Sequence, residues 1–289
     1  MELANVTKTN HINPMLITTE EVYCAMKKER IDVLLAQQGF FDSREGAKRA
    51  VMAGIVLVND ERIDKPGEKV LVDAVIRIKG EISPYVGRGG LKLERAIEVF
   101  GLDLTDRIVL DVGASTGGFT DCALQNGARF SYAVDVGYNQ LAWKLRQDER
   151  VISLERTNFR YMEPEALAFG LPSFACVDVS FISLRLILPT LERMLTPGGE
   201  AVLLIKPQFE AGREQVGKNG IVKEAKVHTQ VIRDVVDFVE GLKFGVLGLT
   251  PSPIKGSEGN IEFLIHLTRH DGIDITDELI KNVVKSAHV

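Results

Sequence analysis

Cysteine is scarce in this chain of 289 residues: there are three, Cys24, Cys122 and Cys176. They are too few and too scattered for a disulfide framework, and no two have the short spacing of metal ligands. Disulfide-stapled scaffolds and zinc modules are thereby excluded, and free thiols in a reducing compartment are expected. The five histidines form no ligand spacing either, so no metal is expected. Long apolar runs are also missing. No stretch approaches the roughly 18 residues of a membrane span, and the first residues lack the apolar core of a secretory signal. A cytoplasmic protein without a membrane partner is the expectation. Nor is there an excess of basic charge: the formal net charge is −5, which by itself argues against a nucleic-acid partner.

What is present is a large apolar fraction, 45%, enough for a sizeable core. The length allows about two domains. The charge is unevenly divided. Residues 27–79 carry 11 Lys and Arg against 9 Asp and Glu, so a mildly basic segment is joined to an acidic body. Residues 1–26 show no period and read as a flexible extension. From Lys27 the pattern tightens. Ile31, Leu34 and Leu35 recur at helical spacing up to Gly39, and Ser43 is a natural N-cap for a second helix through Ala47, Ala50 and Val51. Short strands follow around Ile55–Asp60, Val70–Val72 and Val75–Ile78. Residues 27–84 are thus expected as a small α+β domain. Gly80, Pro84, Gly87 and the Arg88-Gly89-Gly90 run read as linker.

A helix with Leu91, Leu93, Ala96, Ile97 and Phe100 on one side opens the rest of the chain. Apolar strand runs then alternate with helices: Ile108–Leu110, Tyr132–Val134, Val151–Leu154, Phe174–Val177, Ala201–Ile205, Val246–Leu249 and Ile261–Ile265. Helices are expected over Leu184–Leu195 and Val222–Glu240. This alternation predicts an α/β domain, a Rossmann-like parallel sheet covered on both faces, over residues 85–270. The last two strands lack a long helix between them, so they fit a terminal hairpin with one strand antiparallel. Residues 271–289 read as a tail.

Two constellations carry chemistry. The first is Asp111-Val112-Gly113-Ala114-Ser115-Thr116-Gly117-Gly118-Phe119, between a strand and a helix. Glycines there let the backbone approach a ligand, and ligands of open α/β sheets bind at the carboxyl ends of the strands. The spacing is not that of a dinucleotide loop; Asp-x-Gly-x-x-x-Gly is the form associated with S-adenosylmethionine. Asp135, at the end of the next strand, is placed to accept hydrogen bonds from ribose hydroxyls. The second constellation is charge at the ends of apolar runs: Asp178, Lys206 and Glu262, with Lys92 in the helix before the first strand. A Lys and an Asp together in a crevice suggest proton removal from an alcohol, a poor nucleophile that needs a base.

The residues also resemble known families. Lys28–Asp32 with Ser43–Lys48 and Gly54–Asn59 resembles the RNA-binding domain named after ribosomal protein S-four. Gly87–Leu93, the Asp111 loop, Lys206–Glu210 and Lys255–Glu262 resemble the TlyA family: haemolysin A-like ribosomal RNA 2′-O-methyltransferases whose catalytic domain is similar to the FtsJ methyltransferases. The resemblance covers about residues 27 to 268. It implies a catalytic set of Lys92, Asp178, Lys206 and Glu262, in which Lys206, held by Asp178, activates a ribose 2′-hydroxyl. It implies S-adenosylmethionine as cofactor, held by Asp111, Gly113, Ser115, Gly117, Gly118, Phe119, Asp135 and Asn158. At the Asn158 position FtsJ-type enzymes carry Asp. It implies ribosomal RNA, at cytidine, as substrate. Arg30, Arg44, Lys48 and Arg49, on the two expected helices of the small domain, would meet phosphates.

Three rival readings differ in class. A membrane-active haemolysin would ask for a spanning segment or export signal. A non-catalytic RNA-binding assembly factor would not need the set Lys92, Asp178, Lys206 and Glu262. A small-molecule methyltransferase would not need the basic module.

Overall fold

A computed structural model describes residues 27–41, 43–79, 83–256 and 258–288. The expected extension, residues 1–26, lies outside them, as does Cys24. The chain divides into two units, residues 1–84 and 85–289.

The first unit is α+β. Strand β1 (Lys28–Arg30) leads directly into helix α1 (Ile31–Gln37), and α2 (Arg44–Met52) follows. Ser43 caps α2, its hydroxyl accepting the Gly46 amide at 3.1 Å. Four short strands complete the unit: β2 (Val56–Val58), β3 (Glu61–Arg62), β4 (Lys69–Leu71) and β5 (Ile76–Ile78). They make a β3-β2-β5 sheet and a separate β1-β4 pair. Strands β1 and β3 carry no apolar alternation, which is why the sequence did not announce them. Ile31, Leu35, Ala47, Val51 and Val56 are fully buried between helices and strands.

In the second unit α3 (Gly89–Phe100) precedes β6 (Ile108–Val112), α4 (Gly118–Gln125), β7 (Phe130–Val134), the short α5 (Trp143–Arg146), β8 (Val151–Leu154) and β9 (Phe174–Val177). Then come α6 (Leu188–Met194), β10 (Glu200–Ile205), the one-turn α7 (Pro207–Glu210), α8 (Ala225–Gly241), β11 (Gly245–Pro251), β12 (Phe263–Thr268) and α9 (Asp277–Ala287). One continuous helix from Leu184 is expected; instead a 3₁₀ turn over Leu184–Leu186 precedes α6, whose first turn holds Pro189. Proline has no N–H to give, so it sits where an intrahelical donor is not needed.

Seven strands form one sheet in the order β11-β12-β10-β9-β6-β7-β8. Only β12 runs antiparallel to its neighbours β10 and β11, as a terminal hairpin demands. Because its strands are apolar on both faces, the sheet needs two covers. Leu93 and Ala96 of α3, Cys122 and Ala123 of α4 and Leu145 of α5 pack on one side. Leu188 and Leu191 of α6, Val231, Val235 and Val239 of α8 and Ile280 and Val284 of α9 pack on the other. The expected tail is therefore corrected: within residues 271–289, α9 is capped by Thr276 and buries Ile280 and Val284 against α8 and β11. Its apolar spacing is one helical turn. Among the described residues no helix is long and apolar enough to cross a membrane.

Candidate active site

The antiparallel direction of β12 assembles the site. Its register sets Phe263 opposite Ile205, so the start of β12 lies level with the carboxyl end of β10. Glu262, one residue before β12, thereby comes beside Lys206, one residue after β10. Asp178 follows the neighbouring parallel strand β9, and Lys92 reaches in from the first turn of α3.

The four groups form one chain of contacts. Lys92 Nζ donates to Glu262 Oε2 at 2.8 Å and to Asp178 Oδ2 at 3.2 Å. Lys206 Nζ is ion-paired with Asp178 Oδ1 at 2.6 Å and donates to the Ser180 hydroxyl at 2.8 Å. The Glu262 side chain is 2% exposed and that of Lys206 10%. Two cations and two carboxylates balance, which is what allows so many charges to be buried together. All four line one cleft.

The same cleft reaches the Asp111 loop. Asp111 is buried at the end of β6. Its Oδ2 accepts both the amide (3.0 Å) and the hydroxyl (2.7 Å) of Thr120, while Oδ1 has no partner. Burial raises its carboxyl to about 7; the Thr120 hydrogen bonds oppose this, and the nearby carboxylates Asp178 and Asp135 add to it. Gly113 has φ +85°, and a Cβ there would stand 2.4 Å from the Asp178 carbonyl oxygen. The Asp111 loop and the turn after β9 thus touch backbone to backbone, which only glycine permits. Ser115, Gly117 and Gly118 continue the turn into α4. Phe119, expected beside the cofactor, also lines the cleft, but its ring is 3% exposed and belongs to the core under α3.

An adjoining cleft is lined by Asp135, Gln140, Asn158, Phe159 and Phe181. Asp135 accepts the Ser115 amide on Oδ2 (2.8 Å) and the Gly137 amide on Oδ1 (2.7 Å). These bonds hold the carboxylate at the rim with lone pairs to spare. Asn158 caps a 3₁₀ turn, its Oδ1 accepting the Arg160 amide at 3.2 Å.

Several residues at the site escape a reading of strand ends. Ser180 is one. Phe181, 91% exposed with φ +63°, is another; its ring stands 5.1 Å from that of Phe209, over which Lys206 Nζ sits at 6.0 Å. A large exposed aromatic side chain on a left-handed backbone is strained as well as poorly hydrated. Gln208, whose Oε1 is buried without a partner, and Asn219 also line the cleft. In the first unit, Arg30 and Arg44 are both bound to Asp32, Lys48 is paired with Glu45, and Arg49 is exposed.

Residues 85–269 match the model of the FtsJ-like methyltransferases. The chain belongs to that family. In this methyltransferase, residues 29–76 also match the S4 domain. It is 57% identical over 266 residues to the Bacillus subtilis protein named "Putative rRNA methyltransferase YqxC", covering 91% of this chain and 95% of that one. It is 38% identical over 242 residues to the Mycobacterium tuberculosis "16S/23S rRNA (cytidine-2'-O)-methyltransferase TlyA", covering 83% and 90%. A solved structure from Streptococcus thermophilus, titled "Putative hemolysin", superposes with a TM-score of 0.73 at 57% identity, covering 91% of this methyltransferase and 97% of that chain.

Proposed function

We propose that this methyltransferase transfers the methyl group of S-adenosylmethionine to a ribose 2′-hydroxyl of ribosomal RNA, at a cytidine. The observation that carries the reading is Lys206: a buried amine held by Asp178 and Ser180 at the end of a cleft that begins at a glycine cradle. A ring nitrogen brings its own lone pair to a methyl group. An alcohol must lose a proton, so it needs an acceptor beside it.

The residues fit the cofactor. The unpartnered Oδ1 of Asp111 is an acceptor for a cationic amino group, the Gly113 turn leaves room against backbone, and Asp135 offers a carboxylate to ribose hydroxyls. Asn158 offers an amide to the base. Bound there, S-adenosylmethionine supplies an electrophilic methyl group. The chain's own groups do the rest. Lys206 in its neutral form, its own ammonium proton having first been given up to solvent, takes the proton of the 2′-hydroxyl on its free lone pair, Asp178 and Ser180 fix the amine, and Lys92 between Asp178 and Glu262 holds the carboxylates in register. Phe181 and Phe209 present aromatic faces at the mouth, where an unstacked base would rest. The S4 domain contacts RNA phosphates, and TlyA, similar along most of the chain, is named for cytidine 2′-O-methylation of ribosomal RNA.

The test is direct. Purified ribosomal subunits are incubated with the protein and methyl-labelled S-adenosylmethionine, and the label is mapped. Label on a cytidine 2′-oxygen is expected. Label on a base, or none on subunits or free ribosomal RNA, overturns the reading.

A further inference from the structure

Glu210 follows Lys206 by one helical turn, closes α7 and stands outside the charge chain of the site. It is half-buried. Its Oε2 accepts the Ser183 hydroxyl at 2.6 Å and its Oε1 the Leu184 amide at 2.7 Å. Burial pushes its carboxyl up, and these two bonds together with the charge of Arg185 oppose the rise. Arg185 is itself paired with Asp234 at 3.6 Å. A carboxylate drawn out of water costs free energy unless its oxygens are hydrogen-bonded; here both oxygens are.

Two tethers therefore join the same two segments. At one end Lys206 Nζ meets Asp178 Oδ1 at 2.6 Å and the Ser180 hydroxyl at 2.8 Å. At the other, Glu210 holds Ser183 and Leu184. Phe181 stands between the tethers on one segment and Phe209 on the other, with ring centroids 5.1 Å apart. The next residue, Ile182, packs on the core, whereas Phe181 is 91% exposed at φ +63°. A bulky residue in that conformation persists only where its surroundings over-determine it. So exposed a ring gains little from its own packing, and the tethers on either side supply the constraint.

We propose that Glu210 is a positioning residue for the RNA base: by tying Ser183 and Leu184 to the turn that carries Phe209, it holds Phe181 in its strained, exposed conformation, so that both rings are set before the substrate arrives. This rests on the reading of Phe181 and Phe209 as the resting place of an unstacked base, and it adds what holds them there. A platform arranged in the free protein spares the cost of ordering it on binding. Ser183 carries the tether onward. Its one proton goes to Glu210, and its oxygen accepts the Arg185 amide at 3.2 Å, capping the 3₁₀ turn over Leu184–Leu186. Glu210 itself lines neither the catalytic cleft nor the adjoining one, so its effect on substrate passes through the turn.

A double-mutant cycle separates this role from a merely structural one. Wild type, Glu210→Gln, Phe181→Ala and the pair are assayed on ribosomal subunits for KM and kcat. Thermal unfolding and S-adenosylmethionine affinity by calorimetry are recorded for each. An amide has one acceptor oxygen where the carboxylate has two, so Glu210→Gln loses one bond of the tether. Its KM is expected to rise roughly tenfold, the worth of one hydrogen bond to a charged group, with the larger part of the loss in KM and cofactor affinity retained. Phe181→Ala is expected to raise KM at least as much. Because Glu210 acts through Phe181, the pair is expected to be within about twofold of Phe181→Ala alone. Should Glu210→Gln not fold, Ser183→Ala takes its place in the cycle, since it removes the bond to Oε2. Effects that multiply in the pair, or a folded Glu210→Gln (or, in its place, Ser183→Ala) with the KM of wild type, overturn this role and leave Glu210 as a staple of the loop. Phe181→Ala with the KM of wild type removes the aromatic platform and the role of Glu210 with it. Wild type that leaves ribosomal subunits unlabelled defeats the methylation reading itself.

Discussion

Lys206 Nζ donates to Ser180 and lies within ion-pair distance of Asp178, and its side chain lines the cleft. Lys206→Ala is expected to cost at least roughly 10²-fold in methyl transfer, the usual worth of a positioned base. Lys206→Arg should be almost as slow, because a guanidinium keeps its proton. Initial rates on ribosomal subunits decide it: a Lys206→Arg variant near wild-type speed makes the residue a charge clamp instead. Asp111 gives a different signal. Its carboxyl is raised to about 7 in the fold against about 3.9 in an unfolded chain. Between these values the folded state keeps a proton that the unfolded state has lost, so this group's stabilisation is present at low pH and falls away as pH rises from about 4 to 7. Asp111→Asn should therefore gain in unfolding temperature relative to wild type across that window, with a constant difference outside it. Asp178 and Lys206 were legible because a charge ending an apolar run has few places to go; Lys92, inside a helix, was marked by the resemblance rather than by its surroundings in the sequence. Ser180, Phe181 and Gln208 were not, because a hydroxyl, a ring and an amide near a strand end are equally at home in a loop, and Phe181's exposure exists only in three dimensions.

The strands were legible for the same reason that the sheet is stable: continuous apolar runs buried on both faces leave little else for the chain to do. Their order was not, because a strand's neighbours depend on crossovers that leave no local trace. Helix α9 shows the opposite limit. Leu279, Ile280, Val283, Val284 and Ala287 recur at helical spacing and pack on the core, a period present in the sequence but confined to about three turns at the end of the chain. Ile280→Ala is expected to destabilise the second unit by about 2–4 kcal/mol, as for other large-to-small changes in a packed core. A urea midpoint unmoved by the substitution would show that α9 is loosely held. The turn after β6 is less forgiving. Gly113→Ala would drive a Cβ against the Asp178 carbonyl, and at φ +85° it is strained besides. Calorimetry should find S-adenosylmethionine affinity lowered by at least about tenfold, with the unfolding transition still cooperative.

The division at residue 84 makes a separable claim. Residues 85–289 contain the complete seven-stranded sheet and both apolar layers. Expressed alone they should fold and bind S-adenosylmethionine, yet methylate ribosomal subunits far more slowly than the full chain, with most of the loss in KM. Equal activity of the two forms would deny the S4 domain a part in substrate capture. The sheet order carries one more consequence. Strand β12 is threaded between β10 and β11 although it is made last, and Glu262 directly precedes it. On the ribosome, a nascent chain that has already emerged through Lys206 holds Lys92, Asp178 and Lys206, but their fourth partner is still untranslated. Long-range closure of this kind is slow to form. The sheet edge and the buried charge balance of Lys92, Asp178, Lys206 and Glu262 therefore wait on the same stretch of chain, and a product terminated before β12 would leave Lys92 without one of its two carboxylates.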